Sequence, residues 1–128
     1  MITVWEAVNL NPLGRRVGDC AIRAVAVALG TDWEKAYCLL VVKGFSMADV
    51  MNADSVIGAV LKDHGFNRSV IPTGCPDCFT AEDFCKEHPK GIFVLFFGGH
   101  VATVRNGILF DAWDSSGEIP QYYWGKDE

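Results

Sequence analysis

Long apolar runs, basic runs and an export signal are all missing from this chain. The longest apolar stretches, Tyr37 to Val42 and Ile92 to Phe97, fall well short of the ~18 to 20 residues that cross a bilayer, so no membrane partner is expected. The opening, MITVWEAVNLNP, carries neither the basic flank nor the apolar core of a signal peptide. Apart from Arg15-Arg16 the basic residues stand singly, and eleven Lys and Arg face sixteen Asp and Glu, for a net charge of −5. No stripe is left to read phosphate, and nucleic acid is not an expected partner. Repeats, low-complexity tracts and linkers are lacking as well, so the 128 residues are read as one domain, 1–128. Five cysteines, an odd count without an export signal, fit a reducing compartment, and the expected location is cytoplasmic.

What is present is a core. Half of the residues are hydrophobic, and a chain of this length buries enough surface to fold without disulfide or metal staples. The first half reads helical. Asp19 stands at an N-cap position, the run from Cys20 to Leu29 has Arg23 as its only charge, and Gly30 closes it. A helix apolar nearly all round belongs at the centre of the molecule. A second helix is predicted from Thr31 or Asp32 to about Lys43, stopped by Gly44, and a third from about Ser55 to His64.

The period then changes. Arg68 to Ile71 is a short strand candidate, and Thr80-Ala-Glu-Asp83 has capping-box spacing ahead of a short helix that Pro89 closes. Ile92 to Phe97 is a continuous apolar run, as in a strand buried on both faces. His100 to Arg105 and Ile108 to Trp113 flank Asn106-Gly107, a strong hairpin signal. Helices followed by an antiparallel sheet predict an α+β fold.

Cys20 is the first candidate for chemistry, because a thiol in the first turn of a helix has its thiolate favoured by the macrodipole. It could equally be a small apolar residue at the edge of a buried helix. The hairpin supplies the second feature. A two-residue turn pairs Arg105 with Ile108, Ala102 with Asp111 and His100 with Trp113, so His100, Asp111 and Trp113 share a face. Asp111 is then the diagonal neighbour of His100 at about 7 to 8 Å between Cα atoms, a gap that an imidazole and a carboxylate can bridge. A carboxylate so placed fixes the tautomer of a histidine that acts as base to a nucleophile.

Gly18-Asp19-Cys20 opening an apolar helix, His100-Val-Ala-Thr-Val in a strand, and Asp111-Ala-Trp113 in the next together resemble the papain-like cysteine peptidases. Their pattern is Gly-x-Cys, His-Ala-Val and Asn-Ser-Trp in the same order. Asp-Cys before a small-residue helix is also similar to the peptidase domains of bacteriocin-exporting transporters, whose third member is Asp. The strings NPLGRRVGDCAIRA, EHPKG, GGHVATV and FDAWDSS resemble small papain-like proteins of Gram-positive bacteria and their phages. The resemblance implies a papain-like fold, with a buried central helix on a C-terminal antiparallel sheet. It also implies a cysteine peptidase acting on a peptide or protein substrate with no cofactor. Cys20 would be the nucleophile, His100 the base and acid, Asp111 the residue orienting His100, and Trp113 the shield of their hydrogen bond. The family's oxyanion Gln, six residues before the Cys, is replaced here by Gly14. Asn11 is the expected substitute, with Asn9 and Arg16 behind it, although Asn11-Pro12 is also ordinary turn chemistry.

Two other readings stand beside this one. Cys75-Pro-Asp-Cys78 with Cys85 and His88 has zinc-ligand residue types, but helical spacing makes Cys85 and His88 an awkward pair, and loop thiols or a reversible disulfide are preferred to a metal. As a thiol-disulfide motif, CPDC lies ahead of its helix rather than at the helix start. The missing Gln keeps open a catalytically weak or inactive papain-like module of phage or bacterial origin that binds a protein partner. The Tyr122-Tyr123-Trp124 cluster would then be its contact surface or a flap over the sheet.

Overall fold

The computed structural model describes residues 3–71 and 79–126. Along the chain these form β1 (Trp5–Ala7), α1 (Cys20–Leu29), α2 (Trp33–Met47), α3 (Asp54–Asp63), β2 (Asn67–Val70), α4 (Ala81–Glu87), β3 (Ile92–Phe96), β4 (Val101–Arg105), β5 (Ile108–Asp111) and β6 (Tyr122–Lys126). The fold is α+β, a six-stranded sheet in the order β1-β5-β4-β3-β6-β2.

β3 explains why the sheet has two covered faces. All five of its residues are buried. Ile92, Val94 and Phe96 join the core made with α1, α2 and α3, while Phe93 and Leu95 join the core around Phe84 and Cys85 of α4. The period-2 alternation of a strand sends one continuous apolar run to both layers. α1 is fastened to the sheet by polar contacts as well: Thr103 Oγ1 donates to the Ala24 carbonyl at 2.6 Å and Arg105 Nη1 to the Val27 carbonyl at 2.8 Å. These bonds fix α1 along β4, which brings the head of the helix to the start of that strand.

The β4–β5 hairpin has the register its turn residues imply. Arg105 pairs with Ile108, Val104 with Leu109 and Thr103 with Phe110. Asn106 and Gly107 take φ values of 49° and 80°, the left-handed pair that a type I′ turn demands. In α4, both halves of the Thr80/Asp83 capping box are made.

Four expectations are corrected. The sheet is mixed rather than antiparallel, because the short N-terminal strand β1 lies parallel to β5. Tyr122, Tyr123 and Trp124 form neither a flap nor a free surface. They lie in β6, between β3 and β2, paired with Val94 to Phe96 on one side and Arg68 to Val70 on the other. α2 runs through Gly44 to Met47. A Cβ on Gly44 would meet the Asp49 carbonyl oxygen at 3.0 Å, so this glycine admits the returning chain, and the helix ends instead at Ala48, with φ 55°. β5 stops at Asp111 rather than reaching Trp113. The Asp111 carboxylate takes the Ala112 N–H and the Ser115 hydroxyl, and so turns the chain away from the ladder.

Gly58 carries a prediction. Alanine in a helix usually stabilises by about 1 kcal/mol relative to glycine, but here its Cβ would lie 2.9 Å from Cζ2 of the Trp124 ring. Gly58→Ala is therefore expected to destabilise by about 1 to 3 kcal/mol, read as a lower urea midpoint at unchanged slope. An unchanged or higher midpoint would show that the α3–β6 contact is looser than described.

Candidate active site

Cys20 is the first residue of α1, and its neighbour Asp19 stands at the N-cap without capping. Asp19 Oδ1 accepts from Arg23 Nη1 at 2.8 Å and Oδ2 from Trp33 Nε1 at 2.9 Å. With the cap carboxylate held elsewhere, it takes no first-turn N–H beside Cys20, and the positive end of the helix acts on the thiol.

His100 precedes β4, after a tight reversal in which the Phe97 N–H donates to the His100 carbonyl at 2.9 Å. Gly98 and Gly99 make this reversal with φ of 82° and 102°. The imidazole Nε2 lies 2.6 Å from Asp111 Oδ2, the contact that the hairpin phasing anticipates. Cys20 lies near enough to the His100 ring for each to shift the other's titration, and since Nε2 serves Asp111, Nδ1 is the atom free to face the sulfur. The ring thus stands between the sulfur and the carboxylate, bonded to the latter.

Asp111 is gripped more completely than any other side chain near the site. It is wholly buried. Oδ1 accepts from Arg23 Nη2 at 3.0 Å and the Ala112 N–H at 2.8 Å, while Oδ2 accepts from the Ser115 hydroxyl at 2.6 Å in addition to His100. Its backbone carbonyl accepts from the Trp5 indole and the Val8 N–H, both at 3.1 Å, so the parallel strand β1 braces the end of β5. Arg23 spans the two halves of the site, with one end of its guanidinium on Asp19 of the helix side and the other on Asp111 of the sheet.

The electrostatics follow from this arrangement. The neighbouring His100 imidazole holds the Cys20 thiol below the ordinary thiol range, against the opposing effect of burial, with help from the Val101 N–H and the charges of His100 and Arg23. The Asp111 carboxylate, followed by the Cys20 contact, lifts His100 to about 9. Burial by itself would push Asp111 up, but the bonds from His100, Ser115 and Ala112 bring it below its usual value. All three shifts favour a thiolate facing an imidazolium, the charge state in which a cysteine is nucleophilic and a histidine can protonate a leaving group.

The remaining sequence candidates fall out as follows. Trp113 stands 5.3 Å from the His100 ring, but it is 48% exposed; burial of the His100–Asp111 bond is provided at the carboxylate end by Asp111's own surroundings. Phe97 is a second aromatic neighbour of His100, at 5.9 Å. Asn11 Oδ1 accepts from the backbone N–H groups of Leu13 and Arg15, which is turn chemistry, and an oxyanion role would fall to its Nδ2. Cys85 is buried, which pushes its thiol up to about 12, and His88 Nδ1 contacts the Phe84 carbonyl oxygen while its ring stacks on Phe84. Cys75 and Cys78 lie outside the described residues, and among the described residues no three His, Cys, Asp or Glu side chains are grouped to hold a metal. No helix among them is long and apolar enough to cross a membrane.

Sequence reasoning missed Arg23, Ser115 and Trp33 as parts of the site. Arg23 had a legible signal: a lone charge on an apolar helix, four residues after Asp19, is placed for an i,i+4 ion pair. The donations from Ser115 and Trp33 depend on where separate segments come to rest, and no local pattern marks them. No protein-family model matches the chain, and neither does any curated protein or solved structure.

Proposed function

We propose that this chain is a papain-like cysteine hydrolase that cleaves a peptide or isopeptide bond through an acyl-enzyme, in the reducing cytoplasm. The observation that supports this reading is the 2.6 Å His100–Asp111 hydrogen bond on a wholly buried carboxylate, with Cys20 at a helix start beside the same imidazole and its thiol held low by it. The Cys20 thiolate attacks the substrate carbonyl, and the oxyanion that forms lies beside the α1 backbone N–H groups. The His100 imidazolium gives its Nδ1 proton to the leaving amine as the C–N bond breaks. Neutral His100 then takes a proton from water, whose oxygen attacks the thioester. The acid departs, and the thiolate–imidazolium pair is restored. Asp111 keeps Nε2 protonated and the ring aimed at the sulfur throughout.

A pH series of low-dose iodoacetamide alkylation, mapped over all five cysteines in wild type and His100→Ala, tests the reading. Since Cys20 is held low and His100 high, wild-type Cys20 is expected to label preferentially near pH ~6, and the variant to label only in the ordinary thiol range of about 8 to 9. Cys85, pushed up to about 12, serves as the inert internal control. Cys20 labelling no faster than the exposed Cys38 at every pH would sink the proposal. A second reading, a non-catalytic binding module, draws on the apolar outer side of α2 and the turn after it, where Val42, Phe45 and Val50 are exposed. It requires that wild type turn nothing over and that Cys20→Ser bind its partner unchanged.

A further inference from the structure

Against Asp19, the residue before Cys20, lies a cavity of about 200 Å³ that the proposed chemistry leaves unused. Asn9, Arg16 and Val17 of the loop ahead of α1 line it, together with Asp19, Arg23 and, across from the loop in sequence, Ala112. Two of its lining residues are chain neighbours of the reacting groups, Asp19 preceding Cys20 and Ala112 following Asp111, while Cys20 and His100 are not themselves in the lining. At this size it is smaller than the ~300 to 1,000 Å³ sites that take a whole small molecule, and it suits a single side chain or chain end.

The charges lining the cavity are two arginines and one aspartate. Asp19 is already satisfied by Arg23 and Trp33, and the Arg23 guanidinium by Asp19 and Asp111. Arg16 is different. It belongs to the one paired basic stretch of a chain whose net charge is −5, it is exposed, and it joins no ion pair among the described residues. The loop that presents it is shaped by its own polar groups. Asn9 Nδ2 donates to the carbonyls of Gly14 and Arg15, both at 3.3 Å, and Asn11 Oδ1 accepts from Leu13 and Arg15 at 2.9 and 3.2 Å. A loop held in this way lowers the ordering cost of a contact made by Arg16.

We propose that this cavity is a subsite for a carboxylate borne by the substrate within a residue or two of the scissile bond, with Arg16 as its anchor. The proposal rests on Cys20 being the nucleophile. A guanidinium matches a carboxylate in planar, two-point geometry, whether that carboxylate belongs to an acidic side chain or to a chain terminus.

Three chloroacetyl probes test it: chloroacetyl-Glu amide, chloroacetyl-Gln with a free carboxyl, and neutral chloroacetyl-Gln amide. In each, the Cys20 sulfur displaces chloride from the methylene carbon, and the adduct is followed by mass spectrometry. Rates are taken at pH 9, where an ordinary thiol also reacts, so the cavity is read even if Cys20 proves unactivated. Each rate is divided by that of the neutral probe on the same protein. The wild type is expected to favour at least one carboxylate probe by roughly fivefold, the size of one half-exposed charge-assisted contact. Which probe gains tells a side-chain carboxylate from a terminal one. Arg16→Gln brings the ratio to about one. Arg15→Gln makes the same charge change one residue away, outside the cavity lining, and keeps the preference. Ratios near one for both carboxylates in the wild type overturn the proposal, as does an equal loss in Arg15→Gln and Arg16→Gln, which would mark a general field rather than a site. Failure of the iodoacetamide series with these ratios intact would instead remove the nucleophile reading and leave the anion site.

Discussion

Arg23→Met is expected to cost about 3 to 5 kcal/mol of folding stability, the size typical of breaking a buried ion pair from one side. The guanidinium is buried, as are both of its partners, Asp19 and Asp111. Methionine keeps much of the volume but leaves two carboxylates out of water without their shared cation. On a chain of this size that loss lowers the thermal midpoint by about 10 to 20 °C. Asp19→Asn combined with Arg23→Met removes one of the stranded charges and is expected to recover more than half of the loss. Urea unfolding of the three proteins measures both effects. A single-variant loss below about 1 kcal/mol, the scale of a solvated surface pair, would show that the bridge between α1 and β5 is not formed.

Asp111→Asn carries the second large effect. Four donors converge on the two carboxylate oxygens: Arg23 and the Ala112 N–H on one, His100 and Ser115 on the other. An amide offers one oxygen, so its NH2 must face two of those donors. The substitution is nearly isosteric in shape and wrong in hydrogen bonding. His100 should lose most of its elevation, because the Asp111 bond is the first cause of its rise to about 9. An NMR titration is expected to place the wild-type imidazole near 9 and the variant well below it, toward the ordinary value of about 6.5. Turnover of the best substrate from a fluorogenic peptide library should fall roughly tenfold or more, because here, unlike in the papain-like pattern that carries Asn at this place, the amide NH2 would face two of four converging donors. A wild-type His100 titrating at its ordinary value, or a variant that titrates like the wild type, would contradict the arrangement.

The two halves of the candidate site were legible to different degrees. Cys20 at a helix start followed from Asp19, an apolar decad and Gly30, all local signals. The meeting of His100 with Asp111 followed from one turn, since Asn106-Gly107 sets the register and period-2 alternation does the rest. Local patterns did not reveal what Asp19 does. It occupies an N-cap position, but its carboxylate turns to Arg23 and to Trp33 of the next helix. Gly44 misled for a related reason. Glycine marks both helix ends and close approaches, and only the path of Asp49 to Met51 tells which applies.

β1 and β6 escaped notice because neither has the continuous apolar run that marked β3 nor the Asn-Gly turn that marked β4 and β5. β1 exists as a strand through its pairing with β5, about a hundred residues along the chain. β6 reads as an aromatic tail until it is seen between β3 and β2. Both matter to the site. β1 supplies Trp5, whose indole holds the Asp111 carbonyl, and β6 is packed by Trp124 against Gly58.

By itself the sequence determined the α+β class, the apolar helix beginning at Cys20, the capped helix after Thr80 and the hairpin that phases His100 with Asp111. Each of these depends on propensity, caps and turn stereochemistry acting over a few residues. The tertiary structure alone decided that Cys20 meets His100, that Arg23 joins Asp19 to Asp111, that Ser115 closes on the carboxylate and that β1 and β6 complete the sheet. Those contacts join segments whose meeting is set by burial of two apolar layers against one sheet, and burial is a property of the whole chain.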